Sequence, residues 1–219
     1  MNSVDEAVRL HNAVVLLGSF PALAEASLVV KKGEIVLISG ANGAGKTTLL
    51  RLCAGLVPLA RGEASVLGFN LATQRKEAQA HVGMLGHANG LYLDLTAQEN
   101  LQFWGAVVGA SAREIALSAQ RMGLHTRLLA TTVAKMSAGQ RRRTALAILV
   151  IRRASLWLLD EPHAGLDAAG RDEIDSILRE ATAAGATVIV ASHELERAGA
   201  LATRRIEVVG GAIVERGAQ

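Results

Sequence analysis

The chain has 219 residues, half of them hydrophobic and a fifth charged, enough for one substantial core and legible as a single globular domain. Its aliphatic content excludes a disordered chain, although aromatic residues make up only 3%. With 23 basic and 20 acidic residues interspersed, the net charge of +3 gives little basis for a nucleic-acid or anionic-surface partner; the single cysteine, Cys53, excludes an internal disulfide and makes a reducing cytoplasm the default.

The amino terminus carries early acids, Asp5 and Glu6, and no cationic stretch followed by an apolar one, so no signal peptide is expected. The apolar stretches from Thr144 to Ile151 and from Ala186 to Ala191 fall short of the roughly 18–20 residues that span a bilayer, so work at a membrane requires other chains to cross it. Short aliphatic runs, several bounded by glycine, predict buried strands over 13–17, 34–39, 64–69, 82–85, 155–159 and 186–191. From Thr96 to Arg153 the pattern turns helical. Thr96-Ala-Gln-Glu99, Ser111-Ala-Arg-Glu114 and Ser137-Ala-Gly-Gln140 each have capping-box spacing, in which a hydroxyl accepts from the first helical turn and a Glu or Gln reaches back. A further helix is expected between Asp167 and Gly185, with Ile174, Ile177, Leu178 and Ala181 on one face. Gly210-Gly211, set between β-rich arms over 205–216, predicts a terminal hairpin. The sequence contains no repeat, low-complexity tract or linker.

The strand predicted over 34–39 runs into Gly40, Ala41, Asn42, Gly43, Ala44, Gly45, Lys46 and Thr47, and then into a helical run from Thr48 to Ala54. This is G-x-x-x-x-G-K-[ST] in its strand–loop–helix setting, a phosphate-binding loop. The glycines let backbone N–H groups turn toward phosphate oxygens, and the helix presents its positive end to them. Lys46 is expected to reach the β- and γ-phosphates and the Thr47 hydroxyl to bind Mg²⁺. Cys53, on the inward side of that helix, is expected to be a small core residue.

A second run, Ser155-Leu-Trp-Leu-Leu-Asp-Glu-Pro162, ends in two adjacent carboxylates. Alone these would read as a solvated strand end; behind a phosphate loop, Asp160 is expected at the metal and Glu161 at the attacking water. His193, at the end of the strand predicted over 186–191, is expected to hydrogen-bond the γ-phosphate and help hold that water in line.

Directly upstream of the aspartate strand, Lys135-Met-Ser-Ala-Gly-Gln-Arg-Arg-Arg143 resembles the LSGGQ signature of ABC ATPases, with Met136 for Leu and Ala138 for the first Gly. With the phosphate loop, Asp160-Glu161-Pro162, His193 and the Gly165-Leu166-Asp167 turn, the resemblance covers essentially the whole chain. It implies an α/β fold of the P-loop NTPase ABC ATPase type: a parallel-rich sheet, an antiparallel β part and an inserted helical lobe. The implied single ATP-binding domain spans 1–219, with a core lobe of 1–86 and 152–219 and a helical lobe of 87–151. It further implies ATP and Mg²⁺ as cofactors, with Thr48 joining the phosphate loop and Thr47 and Asp160 as the metal's residues. By the same resemblance, Ser137, Ala138, Gly139 and Gln140 are expected to form a helix start that holds the γ-phosphate of a second copy, so that two copies would pack head to tail around two nucleotides. In physical terms such a capped helix start favours a bound anion. Glu161, His193 and Lys46 are the implied catalytic residues. His87 stands where most relatives carry the glutamine of the Q-loop, and an imidazole differs from an amide in reach and protonation. For adenine stacking the register points to Leu17, with Phe20 the nearest ring.

The compact single domain, the Gly86-His87 pair and the helix start from Thr96 to Trp104 resemble one branch in particular, the ATP-binding subunit of the haem exporter of bacterial cytochrome c maturation. That branch implies an ATPase coupled to transport, peripheral on the cytoplasmic face of the inner membrane, with integral permease subunits as partners and haem or a haem-loaded chaperone as indirect cargo. Another ABC exporter or importer remains an alternative. So does a soluble nucleic-acid-linked ABC ATPase, suggested by Arg141 to Arg143, Arg152-Arg153 and Arg204-Arg205, but that group usually carries a long coiled coil or two ATP-binding units. Those arginines are expected on solvated helix faces or against phosphates and acidic partner surfaces, with no nucleic acid bound. A small-molecule phosphotransferase would leave the signature unexplained. His81, His87, His125 and His163 lack a Cys-His attachment pattern and are expected as loop or surface histidines.

Overall fold

A computed structural model describes residues 5–214, so Met1 to Val4 and the Glu215 and Arg216 end of the predicted hairpin lie outside the described residues. The chain divides into two compact units, one of 1–84, 155–161 and 178–219 and the other of 85–154 and 162–177.

The first unit carries two sheets, apart from one strand residue, Leu85, which belongs to the second unit. Strands β1 (Glu6–Leu17), β2 (Phe20–Lys31), β4 (Arg61–Val66) and β5 (Phe69–Asn70) form an antiparallel sheet in the order β2-β1-β4-β5. The second sheet follows the order β10-β9-β3-β8-β7-β6, built from β3 (Ile35–Ser39), β6 (Val82–Leu85), β7 (Leu156–Asp160), β8 (Thr187–Ala191), β9 (Arg204–Val209) and β10 (Ala212–Val214). Strand β3 lies parallel to both β8 and β9, and β7 parallel to β8. All residues of β3, β7 and β8 are buried, as continuous aliphatic strands of a parallel sheet must be. Strands β9 and β10 pair antiparallel around Gly210-Gly211, with Val209 opposite Ala212, so the predicted hairpin forms as far as Val214.

Helix α1 (Lys46–Cys53) follows β3, and the side chains Leu49, Leu50, Leu52 and Cys53 enter the core with Ile38, Leu156, Leu158 and Ile189. Cys53 is fully buried, and burial pushes its thiol pKa up to about 12. Helices α2 (Arg75–Ala80) and α8 (Leu195–Leu201) complete this unit.

The second unit is helical: α3 (Ala97–Val108), α4 (Ala112–Arg121), the short α5 (Thr126–Leu129), a 3₁₀ turn over Val133–Lys135 and α6 (Ala138–Arg152). The starts of α3, α4 and α6 are complete capping boxes on Thr96, Ser111 and Ser137, as their spacing predicts. Helix α6 packs against α3 and α4, and its residues 144–149 are all buried, the mark of a central helix rather than a surface one. Helix α7 (Ala168–Ala183) starts in this unit and carries buried Ile174, Ile177 and Leu178, with Ala181 half-buried. No helix among the described residues is long and apolar enough to cross a membrane.

Two expectations are corrected. Arg142 is only 4% exposed and Arg141 and Arg143 are half-buried, so this run is no solvated face; the helix that carries it is enclosed by its neighbours. His163 is 1% exposed rather than superficial, with its Nε2 2.8 Å from Asp175 Oδ1, whereas His81, His87 and His125 are exposed.

Candidate functional site

In the first unit the phosphate loop joins β3 to α1. Gly45 caps the helix at φ +112°, and a Cβ there would lie 2.6 Å from the Ala22 carbonyl, so both conformation and space demand glycine. Ala41, Asn42 and Gly43 are exposed, Gly40 and Thr47 half-buried, and Ala44, Lys46 and Thr48 buried. The Lys46 ammonium donates to the carbonyls of Gly40 (2.8 Å) and Ala41 (2.9 Å), holding the cation inside the loop curve. No acidic residue occupies the first turn of α1, which leaves the positive end of the helix unopposed by its own side chains.

Beside the loop, at the end of β7, the Thr47 hydroxyl donates to Asp160 Oδ2 at 2.9 Å. A hydroxyl and a carboxylate at this separation are hard oxygen donors of the kind that hold Mg²⁺ together with substrate phosphates, so the residues present fit that ion.

The next residue differs in geometry. Glu161 has φ +49°, a left-handed conformation that costs a non-glycine residue about 1–3 kcal/mol. Three bonds from the end of β8 hold it. The Glu161 N–H donates to the Ala191 carbonyl (2.8 Å), and Glu161 Oε2 accepts from the Ser192 hydroxyl and the His193 N–H, both at 3.2 Å. The His193 ring, 53% exposed, places Nε2 3.6 Å from Glu161 Oε1. The turn at Glu161 thus separates two adjacent carboxylates: Asp160 against the phosphate-loop threonine, Glu161 beside the histidine. Ser192 carries no mark in the sequence beyond its place between the buried strand and the histidine.

The second unit contains Ser137 to Gln140 and His87. Ser137 accepts from the Gln140 N–H (3.2 Å) while Gln140 Oε1 accepts from the Ser137 N–H (2.9 Å), which closes the cap at the start of α6. Ser137 and Ala138 are exposed, Gly139 and Gln140 half-buried. Gly139 lies so close to the following turn that a Cβ would stand 2.6 Å from the Gly165 carbonyl. His87 is exposed, in a loop whose Gly86 carbonyl and Asn89 side chain both accept from Arg142. Asn100 is fully buried and ties Tyr92 to the start of α3 through both side-chain atoms, a positioning role that nothing in its sequence context singled out. Leu17 and Phe20, opposite each other at the tip of the β1–β2 hairpin in the first unit, are exposed, as an apolar surface for a base would be.

The ABC transporter family pattern matches residues 23–164. The chain is 34% identical to the ABC transporter ATP-binding protein NatA of Bacillus subtilis, over 90% of this chain and 82% of that protein. It is 38% identical to the cytochrome c biogenesis ATP-binding export protein CcmA of Bordetella bronchiseptica, over 95% of this chain and 93% of that one. Among solved structures, a dimeric ATP-binding cassette in a post-hydrolysis state with ADP and Pi matches with a TM-score of 0.86 at 24% identity, covering 96% of this chain and all of that one, a likeness of fold. The fold is accordingly that of a P-loop ABC ATPase with mixed parallel and antiparallel strands. The family pattern and the relatives across most of the chain together show that the protein belongs to the ABC transporter family as an ATP-binding subunit.

Proposed function

We propose that the chain hydrolyses ATP as one of a pair of copies facing head to tail, driving a membrane complex that exports haem or releases a haem-loaded chaperone in cytochrome c maturation. The observation that carries the hydrolytic reading is the division of labour between Asp160, bonded to Thr47, and Glu161, held beside His193. In this mechanism Lys46 leaves the carbonyls of Gly40 and Ala41 for the β- and γ-phosphates, and the backbone of residues 40–48 surrounds the phosphate oxygens. Thr47 and Asp160 would hold Mg²⁺, which when bound would offset the negative charge of the nucleotide's phosphates. Glu161 accepts a proton from water as its oxygen bonds to the γ-phosphorus and the bond to the bridging oxygen breaks, releasing ADP and phosphate. His193 orients that water and the γ-phosphate, and Ser137 through Gln140 of the facing copy bind the γ-phosphate at the start of their helix.

The dimeric cassette among the structural neighbours supports the pairing. The exposed apolar side chains Tyr92, Leu93, Phe103 and Val107 in the second unit, with the Tyr92 and Phe103 rings 5.1 Å apart, support an integral permease partner and hence a peripheral place on the cytoplasmic face of the membrane. Likeness to CcmA supports haem-linked cargo, and likeness to NatA supports a second reading in which the same engine serves another transporter. A nucleic-acid role gains nothing from Arg141, Arg142 and Arg143, which bond to Val133, Pro162 and Asp167 within the chain.

Glu161→Gln tests the hydrolytic reading: the amide keeps the shape but is a poor base, so turnover is expected to fall about 100-fold or more while ATP still binds and a closed dimer accumulates. Turnover at the wild-type rate would remove Glu161 as the base. The cargo is tested by purifying the tagged chain from detergent-solubilised membranes, identifying its partners by mass spectrometry and scanning for haem absorbance. Cytochrome c maturation subunits with a haem band are expected; unrelated permeases without haem would move the cargo to the second reading.

A further inference from the structure

Arg142 is a cation buried four residues past the first residue of α6, roughly 6 Å along the helix from the proposed γ-phosphate site. Removing a guanidinium from water is costly unless its donors are satisfied, and its planar fork offers five N–H groups in fixed directions. Here Nε donates to the Pro162 carbonyl (3.3 Å), and Nη1 donates to the Gly86 carbonyl (2.8 Å) and to Asn89 Oδ1 (2.9 Å). One side chain thus joins three segments of the second unit: the helix start, the turn that follows Glu161, and the loop that carries His87.

The surrounding contacts make this junction stiff. Arg143 forms an ion pair with Asp167 at 2.6 Å, Arg171 Nε donates to the Leu166 carbonyl (3.1 Å), and Gly139 abuts the Gly165 carbonyl. The turn of 162–167 is therefore held to α6 through Arg143 and Gly139, and to α7 through Arg171. The loop of 86–89 is joined to that assembly through Arg142.

We propose that Arg142 is a positioning residue that makes the loop of 86–89, the turn of 162–167 and the start of α6 move as one body, so that the placement of the loop sets the placement of Ser137 and Gly139. This rests on the reading that these residues bind the facing copy's γ-phosphate. A guanidinium is the side chain suited to the task, because one rigid plane reaches acceptors on two other segments; lysine offers the charge without the fork.

The test uses the full chain with Glu161→Gln added to stop turnover. The ATP concentration that half-converts monomer to dimer is measured by light scattering, and ADP affinity by fluorescence of a labelled ADP. Arg142→Met is expected to raise the ATP half-point about tenfold or more while ADP affinity stays within about twofold, because the phosphate loop lies in the other unit. Arg142→Lys should fall between the two. Asn89→Ala should raise the half-point less, and adding it to Arg142→Met should add nothing, since both remove one connection. Hydrogen exchange of the monomer provides a readout independent of ATP: residues 86–90 and 138–143 should exchange faster in Arg142→Met and in Asn89→Ala. An unchanged half-point, an equal loss of ADP affinity, additive effects of Asn89 and Arg142, or unchanged exchange at 86–90 would each overturn the proposal. Should the parent chain fail to dimerise with ATP, the paired mechanism falls and the exchange result alone decides for or against Arg142; should Arg142→Met fail to fold, Arg142→Lys and Asn89→Ala decide.

Discussion

The close approach at Gly139 yields a prediction whose size follows from the geometry. In Gly139→Ala the new Cβ would stand 2.6 Å from the Gly165 carbonyl, whereas real contacts tolerate 3.0–3.4 Å, so the helix start and the turn must separate by about 0.4–0.8 Å. Both partners are backbone, so no side-chain rotation relieves the clash. A displacement of 1 Å in a positioning element costs about 100-fold in rate, which scales to roughly 5- to 50-fold for this shift. Overpacking costs about 1–3 kcal/mol, offset by up to about 1 kcal/mol from the better helix propensity of alanine, so the melting temperature should fall by only a few degrees.

The assay is ATP turnover by phosphate release, with ADP affinity and thermal melting measured on the same preparations. Turnover should fall by the stated factor while ADP affinity holds. The control is a glycine with open space: a Cβ at Gly199 would meet nothing within 4 Å, so Gly199→Ala should keep turnover within about threefold. Wild-type turnover in a folded Gly139→Ala chain would refute the reasoning, as would a matching loss in Gly199→Ala.

Two further outcomes follow from ionisable groups. Cys53 is fully buried with its thiol pushed up to about 12, so native protein at pH 8 should resist thiol reagents and react only on unfolding; rapid native labelling would contradict that packing. The Thr96 N–H and then its hydroxyl hold the Glu99 carboxyl below its ordinary value, and the Ser111 N–H and hydroxyl do the same for Glu114. Stability from a depressed carboxyl is present above the unfolded value, about 4.3, and is lost as pH falls through the folded value. A Glu99→Gln, Glu114→Gln chain should therefore be less stable than wild type at pH 7 and converge with it in acid; a gap independent of pH from 3 to 7 would exclude the capping carboxylates as its source.

How far the sequence discloses this molecule depends on how many segments a feature needs. The strand–loop–helix of residues 35–53 and the three capping boxes are each written in consecutive residues, because one turn of backbone supplies most of their bonds, and each forms at its expected position. Strand β2 went unpredicted because its alanines dilute the alternation that marks a half-buried strand, and its long pairing with β1 is interrupted by register shifts. The predicted strand over 64–69 divides into β4 and β5 where Leu67 adopts a positive φ, a turn unmarked except by Gly68.

Arg142 and His163 mark the point at which local pattern fails. Three successive arginines look like a solvated stripe when only their own helix is considered, yet the middle one is enclosed because carbonyls from two other segments converge on it. His163 follows the acid pair on what looks like a loop, and its burial depends on Asp175 one helix away. Glu161 shows why such distant contacts matter to the chemistry. Its left-handed backbone is unfavourable by itself and depends on the bond to Ala191 and the two bonds from Ser192 and His193. Local pattern sets the two carboxylates side by side, but the direction in which each points depends on a turn stabilised about thirty residues further along the chain, where a periodicity or motif search assigns no weight.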